Sequence, residues 1–174
     1  MPGVVFSYRR KYTGSMEGPS TDGHEFMAPE EWESWAALLV LHRTVLQDLD
    51  AELRQQHKLA VSEFDALITL FNAPDHRLGM SALAREAMLS PAGITHLVTR
   101  LERDGLVKRE IDPADRRKWF TALTDRGDRA LRAARRTHNM VLRRTFLAAT
   151  SPADREMFQQ LWQRLSPDSG ADQH

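Results

Sequence analysis

The longest amphipathic pattern in the chain begins directly after residue 28. Pro29 opens it, the acidic residues Glu30 and Glu31 follow near what would be the positive end of a helix, and apolar side chains then recur at close to 3.6-residue spacing. These apolar positions are Trp32, Trp35, Ala36, Leu39, Leu46, Leu49 and Leu53. The pattern predicts one long helix over about 29–56. Residues 1–28 show little periodicity and contain several glycines, so we expect a disordered extension there.

Three shorter helices are predicted next, each after a residue suited to cap a helix. Ser62 precedes the second helix, and Asp65 three residues later resembles the acid of a capping box. Ser81 precedes a third, short helix. Ser90 and Pro91 then occupy the N-cap and first helical positions of a fourth. The third and fourth helices are short and are separated by a sharp turn.

The helical pattern gives way to a β-ribbon after Gly105, which suits the left-handed residue that ends many helices. Residues 106–111 and 119–123 are predicted to be strands, joined by the polar turn 112–117. The segment 77–79 is too short for an independent strand but suits the edge of a small sheet.

Two further helices are predicted near the end of the chain. Thr124 is placed to cap a long helix, and Ser151 with Pro152 begins the last one. Residues 167–174 are expected to form a flexible tail.

These elements together define the predicted fold class, which is mainly α-helical with a small β-ribbon. Helix, turn, helix and ribbon in this order form a winged helix-turn-helix, here over about 61–123. Helices over about 29–56 and 124–166 flank it, so that 29–166 is expected to fold as one domain.

Composition and charge narrow the classes of function. The 174 residues include no cysteine, which excludes disulfides, thiolate catalysis and thiolate metal sites. Lys plus Arg and Asp plus Glu are 24 each, so the net charge is zero, yet seven arginines and one acid lie between positions 126 and 144. That arginine run contacts phosphates or forms a solvated helix face, and we favour the solvated face for residues 132–144. No apolar run reaches membrane-spanning length and no signal peptide is visible, so we expect a cytoplasmic protein.

The helix that begins at Pro91 carries the candidate chemistry. Four apolar residues occupy one face, and a polar stripe occupies the other. The stripe and its cap are Ser90, Ala92, Thr95, His96, Thr99, Arg100 and Arg103. Hydroxyl, imidazole and guanidinium groups on one exposed stripe suit base edges and phosphates, and the helix N-terminus suits a phosphate. The plainer interpretation is an ordinary solvated surface helix, and the preceding helix-turn-helix spacing and following arginine-tipped ribbon favour DNA.

Several spaced motifs resemble the MarR family of winged-helix transcription regulators. They are Leu89-Ser90-Pro91-Ala92-Gly93-Ile94-Thr95, Leu101-Glu102-Arg103-Asp104-Gly105-Leu106-Val107, Asp112-Pro113-Ala114-Asp115-Arg116-Arg117 and Leu123-Thr124-Asp125-Arg126-Gly127. The resemblance covers about residues 30–166. It implies a homodimer that places one Pro91–Asp104 helix per subunit into the major groove of a pseudo-palindromic operator.

The resemblance also implies a role for the ribbon tip. In the family the second arginine of an Asp-x-Arg motif enters the minor groove and the aspartate orients it, which here implicates Arg117 and Asp115, with Arg116 between them. A narrow minor groove concentrates negative potential and so attracts an arginine. The alternative is a winged-helix module that uses this turn for protein contacts without sequence-specific DNA binding.

Large apolar groups in the terminal helices support the dimer independently. They are Trp32, Trp35, Leu39, Leu46, Phe146, Met157, Leu161, Trp162 and Leu165. A winged-helix core alone would leave them exposed, and large exposed apolar patches mark interfaces.

A small-molecule effector is a further implication of the resemblance, because family members respond to phenolic or carboxylate compounds in a cleft between dimer helices and winged domain. The candidate contacts are Trp35, His42, Asp65, His138 and Arg77, each of which has a purely structural alternative. Asp65 and Arg117 fall where some urate-responsive relatives carry an aspartate and an arginine.

No cofactor, no metal and no enzymatic activity are predicted. The seven histidines show no tight ligand spacing, which argues against zinc. No phosphate-binding glycine loop or nucleophile motif occurs, and Asp112 with Asp115 lie in a hydrated turn rather than in a pocket that would separate their pKa values.

Overall fold

The structure is a computed structural model that describes residues 28–111, 115 and 118–165. Its helices and strands are α1 (Pro29–His57), α2 (Val61–Asn72), β1 (Arg77–Gly79), α3 (Met80–Glu86), α4 (Pro91–Arg103), β2 (Val107–Ile111), β3 (Trp119–Leu123), α5 (Asp125–Thr145) and α6 (Pro152–Leu165). Short 3-10 turns lie at Pro74–His76 and Leu147–Ala149. The fold class predicted from the sequence is confirmed. The expected tail, and the expected extension except for Ala28, lie outside the described residues.

The chain divides into two compact units within α1, between Asp48 and Leu49. The described part of the first unit is the N-terminal part of α1, where Glu31 accepts a hydrogen bond from the backbone N–H of Ala28 at 2.7 Å. This stretch exposes several large apolar side chains, among them Trp35 (47 % exposed) and Leu38 (48 %). No helix of the described chain is long and apolar enough to cross a membrane.

The second unit contains a three-stranded antiparallel sheet with the order β1-β3-β2. Val107 pairs with Leu123 and Ile111 with Trp119 in the β2–β3 ribbon, while Arg77 pairs with Ala122 on the other edge of β3. The edge strand suggested by the sequence therefore forms. It completes the sheet beside the ribbon, whose tip lies largely outside the described residues.

The core of this unit lies among α2, α3, α4, α5 and the ribbon. Phe64, Leu67, Leu83 and Leu131 are at most 1 % exposed. Gly127 allows α5 to start directly against the β2 entry, because a Cβ at this position would lie 2.0 Å from the carbonyl oxygen of Leu106. The start of α5 is thereby held against the end of α4.

Two predicted caps are wrong, each by two residues. Ser62 does not cap α2: Ala60 is the N-cap, and Glu63, not Asp65, accepts the hydrogen bond from its backbone N–H at 2.8 Å. Asp50 accepts from the N–H of Val61 at 2.9 Å, so side chains outside the predicted motif satisfy the helix start. Ser81 does not cap α3 either, because β1 runs directly into the helix and Gly79 is the N-cap.

The other predicted helix ends agree with the structure. Ser90 caps α4 and Thr124 caps α5, each through a side-chain oxygen that accepts a backbone N–H three residues later. Gly105 follows α4 with φ +71°, the left-handed conformation that its lack of a side chain favours. These local signals therefore delimit α4 correctly.

Candidate nucleic-acid interface

Helix α4 is held to the body by one face and capped at its start. Four apolar residues on one face anchor the helix, since each is at most 2 % exposed: Ile94, Leu97, Val98 and Leu101. The hydroxyl oxygen of Ser90 accepts the N–H of Gly93 at 3.1 Å. The position of the opposite face is therefore rigidly determined by packing.

The polar stripe predicted on α4 is exposed in full. Its exposed residues are Ala92, Thr95, His96, Thr99, Arg100 and Arg103, together with the cap Ser90. The hydroxyls of Thr95 and Thr99 donate to the carbonyl oxygens of Pro91 and Thr95, both at 2.8 Å. Because its proton is engaged, the hydroxyl oxygen of Thr95 is left as an acceptor for an amino group of a base.

The guanidinium groups of the stripe already have acidic partners. Nε of Arg100 donates to Oε1 of Glu63 at 2.9 Å, and Glu63 is 9 % exposed. The other oxygen of Glu63 caps α2, so one carboxylate joins the start of α2 to the recognition helix. Arg103 pairs with Asp104, its chain neighbour, at 3.0 Å. Hydrogen bonding to that carboxylate raises the pKa of Arg103 further above its usual value.

Arg109 ties the ribbon to the recognition helix. Its Nη2 donates to the hydroxyl oxygen of Thr99 at 2.9 Å, and its Nε lies 3.6 Å from Oε2 of Glu102. Its backbone N–H donates to the other oxygen of Glu102 at 3.2 Å. Glu63 and Arg109 were both missed by sequence reasoning, since their partners lie 37 and 10 residues away in the chain. The first half of the stripe is thus less constrained by partners than the second.

The ribbon tip is described only in part. Asp115 lies 3.8 Å from the ammonium group of Lys118 and its carbonyl accepts the Lys118 N–H at 2.9 Å, as expected of a turn. Arg116 and Arg117, predicted to contact DNA, lie outside the described residues. At the base of the tip, the cross-strand pair Ile111 and Trp119 is about half exposed.

Two of the effector candidates lie together in the second unit. The ring of His138 on α5 stacks on Phe64 at 4.8 Å between centroids, and His138 also acts electrostatically on Asp65. Desolvation raises the pKa of Asp65, and the nearby His138 opposes part of that rise. Arg77 instead lies over the Phe120 ring at 5.0 Å. Trp35 and His42 belong to the first unit, where both are exposed.

Three arginines of the basic run on α5 contact neighbouring side chains. Arg132 pairs with Asp128 at 2.9 Å, Arg144 with Glu52 at 3.3 Å, and Arg135 lies over the Phe71 ring. Within the described part of the chain, no three His, Asp or Glu side chains come together as ligands for a metal ion.

This arrangement is that of a winged helix-turn-helix protein with an exposed recognition helix. The model of the MarR family matches residues 59–119, which span α2 through the ribbon. Over these residues the chain is similar to the MarR family.

Relatives of known name are transcriptional regulators. The transcriptional regulator HosA of Escherichia coli O111:H- is 37 % identical over 84 residues, covering 48 % of this chain and 62 % of HosA. The HTH-type transcriptional repressor YetL of Bacillus subtilis is 41 % identical over 69 residues, covering 40 % of this chain and 41 % of YetL. The matched region therefore spans less than two thirds of either relative.

A solved structure matches over a longer stretch. Sco3205, a MarR family transcriptional regulator from Streptomyces coelicolor whose crystal structure is in complex with DNA, is 26 % identical with a TM-score of 0.78. The match covers 84 % of this chain and 91 % of that one. The similarity thus extends beyond the 59–119 region to the flanking helices.

Proposed function

We propose that this protein is a sequence-specific DNA-binding transcription regulator. The observation that carries the proposal is α4, which buries four apolar residues on one face and exposes a full stripe of hydroxyl, imidazole and guanidinium groups on the other. The similarity to Sco3205, which was solved with DNA, supports it. In this proposal Thr95 and His96 read base edges in the major groove, and the small residues Ala92 and Gly93 allow close approach. The backbone N–H groups that follow Ser90 bind a phosphate at the helix N-terminus.

The remaining proposed contacts are chiefly with the DNA backbone and minor groove. Arg100 and Arg103 reach phosphates by exchanging an intramolecular carboxylate for a phosphate oxygen, and Thr99 contacts DNA beside them. Arg117 enters the minor groove, with Asp115 orienting it and Arg116 against the backbone.

The proposed active form is a homodimer on a pseudo-palindromic operator. Winged helix-turn-helix proteins place paired recognition helices about 34–36 Å apart to match one turn of DNA. Exposed apolar side chains near both ends of the described chain support such pairing, including Trp35 on α1 and Trp162 (63 % exposed) and Leu165 (78 %) on α6. We assign residues 61–123 to DNA binding and helices 29–56 and 124–166 to dimerisation.

The proposed mode of regulation is repression released by a small phenolic or carboxylate effector. YetL, which is similar over the DNA-binding region, is named as a repressor. Asp65 and His138 lie together on α2 and α5 and offer a hydrogen-bonding pair to such a molecule, with Trp35 and His42 as further candidate contacts. The protein is proposed to act in the cytoplasm, where its operator lies.

Anisotropy titrations of a labelled duplex from the region upstream of the gene test this function. Thr95→Ala and His96→Ala should change the preference at a few base pairs by about 1–3 kcal/mol per lost contact. Arg117→Ala should weaken all duplexes and lower the salt slope by about one. Thr44→Ala, on an exposed position of α1, is the matched control and should bind as the parent does.

Three results would contradict parts of the proposed function. Equal affinity for the upstream duplex and a scrambled one would favour the protein-interaction module instead. Equal binding by Arg117→Ala and the parent would remove the minor-groove contact. A complex that salicylate and urate both leave intact would argue against an effector of that class.

A further inference from the structure

A cleft of about 540 Å³ lies behind the recognition helix, away from the Asp65–His138 pair. Three elements of the second unit line it: the end of α1, the end of α4 with the following turn, and the start of α5. Its lining residues are His57, Lys58, Leu59, Arg103, Asp104, Leu106, Arg126 and Ala130. The volume lies within the range of small-molecule sites, about 300–1,000 Å³.

The charges of the cleft are unbalanced. Arg103 and Asp104 neutralise each other through their contact at 3.0 Å. Lys58 and Arg126 also line the cleft, and neither has an acidic partner among residues 28–111, 115 and 118–165. Two positive charges therefore remain, and a ligand with two negative charges would balance them.

Lys58 ends α1 in the left-handed conformation common at helix C-termini, and the N–H of Leu59 donates to the carbonyl oxygen of Leu53 at 3.4 Å. This conformation, with φ 59°, costs a lysine about 1 kcal/mol relative to glycine. A glycine at position 58 would adopt this backbone conformation without that cost.

The remaining lining is apolar or already engaged. Leu59 and Leu106 are 3 % and 7 % exposed and form an apolar floor with Ala130. The ring of His57 is hydrogen-bonded to the hydroxyl of Thr137 at 2.8 Å, which holds it against α5. The Arg126 side chain extends across Gly105, where a Cβ would meet its guanidinium at 3.6 Å. The cleft thus combines two unpaired cations with a small apolar surface.

We propose that this cleft binds a small dianion of the phosphomonoester type that carries an apolar group, and that binding regulates the recognition helix. The phosphoryl group contacts Lys58 and Arg126, and the apolar group lies on Leu59 and Leu106. Such a ligand would bridge the end of α4 to α1 and α5. Binding itself does not depend on the proposed DNA-binding function; only the regulatory consequence rests on it.

Calorimetric titration of the full chain with phenyl phosphate tests the site. At pH 8 this probe is a dianion with an aromatic body, because the second pKa of a phosphomonoester is about 6. We expect binding by the parent and by Arg129→Gln, an exposed arginine on α5 that does not line the cleft. Lys58→Gly and Arg126→Gln should each weaken binding about tenfold or more through loss of a charge-assisted contact.

The choice of variants separates binding from folding. Lys58→Gly removes the ammonium group while supplying the residue that the left-handed backbone favours, so its thermal stability should not fall. Absence of binding by the parent, or parent-like binding by both Lys58→Gly and Arg126→Gln, would overturn the proposal. Inorganic phosphate binding as tightly as phenyl phosphate would overturn the assigned apolar contact.

A second measurement distinguishes this site from the DNA interface. Saturating phenyl phosphate should shift the DNA affinity of the parent and leave that of Lys58→Gly unchanged. The DNA affinity and salt slope of Arg126→Gln without ligand are compared with those of the parent. A weaker affinity and a smaller salt slope would assign Arg126 to a DNA phosphate and would overturn its assignment to the ligand. If phenyl phosphate binds but no DNA sequence is preferred, the site stands and the proposed function fails.

Discussion

Two aspartates have pKa values that their surroundings shift in opposite directions. Desolvation raises the pKa of Asp65, with His138 opposing it. The hydrogen bond from Arg54 lowers the pKa of Asp50, and the N–H of Val61 adds to that effect. A raised carboxyl pKa means that the folded state binds the proton more tightly, so folding is disfavoured once the pH exceeds the ordinary value of 3.8. A lowered pKa has the reverse effect.

Substituting each aspartate by asparagine should therefore give opposite results. Asp65→Asn should raise the free energy of unfolding at pH 7, and that gain should vanish as the pH falls through the raised pKa towards 3.8. Asp50→Asn should lower the free energy of unfolding at pH 7. This loss of stability should vanish as the pH falls from 3.8 through the lowered pKa. Urea unfolding at several pH values measures both. A destabilised Asp65→Asn at pH 7 would contradict the assigned cause.

At the scale of elements, a single carboxylate connects two helices of the second unit, α2 and α4. Glu63 accepts the N–H of Ala60 at the start of α2 and the Nε of Arg100 on α4. Arg109 makes a comparable connection from β2 to Thr99 and Glu102 on α4. The second half of the exposed stripe is thereby held from two sides, whereas Thr95 and His96, which we propose to read base edges, have no such contact from Glu63 or Arg109.

Glu63→Gln tests the contact between Glu63 and Arg100. The amide keeps the shape but loses the charge, so the free energy of unfolding should fall by about 1 kcal/mol, since Arg100 is 49 % exposed and solvent weakens the pair. Freed from its carboxylate, Arg100 should bind phosphate more readily, and the salt slope of DNA binding should steepen by about one. Glu52→Gln, which breaks the Arg144 pair at 3.3 Å, is the matched control. An unchanged salt slope in Glu63→Gln would show that Arg100 does not reach phosphate.

The local signals in the sequence were strongest where one residue decides the backbone. Ser90, Gly105 and Thr124 were assigned correctly because capping and left-handed geometry depend on a few neighbouring residues. Ser62 and Ser81 failed because Asp50 and strand β1, outside each local window, determine the actual helix starts. Long-range partners such as Glu63 with Arg100 leave no periodic trace, and the Lys58–Arg126 cleft is assembled from three separated segments.

For the molecule as a whole, the remaining question is what covers the apolar side chains of the terminal helices. Met157, Leu161, Trp162 and Leu165 on α6 are between 38 % and 78 % exposed, although Phe158 on the same helix packs edge-on against Phe146 at 5.7 Å. No residue of α6 is buried within the unit, and large apolar groups remain on its surface. A second subunit, as the proposed dimer requires, would remove them from water at about 25 cal/mol per Å².

Trp162→Glu tests this assignment without disturbing the core. The side chain is 63 % exposed, so the subunit should still fold, whereas a charge buried at the interface should prevent association. Light scattering should give about twice 19.9 kDa for the parent and about 19.9 kDa for the variant. Gln163→Glu introduces the same charge at the next, polar and exposed position of α6 and should remain dimeric. Because each subunit alone presents only one α4 to DNA, the monomeric variant should also lose most of its affinity for the paired operator. A Trp162→Glu protein that stays dimeric would place the subunit interface elsewhere.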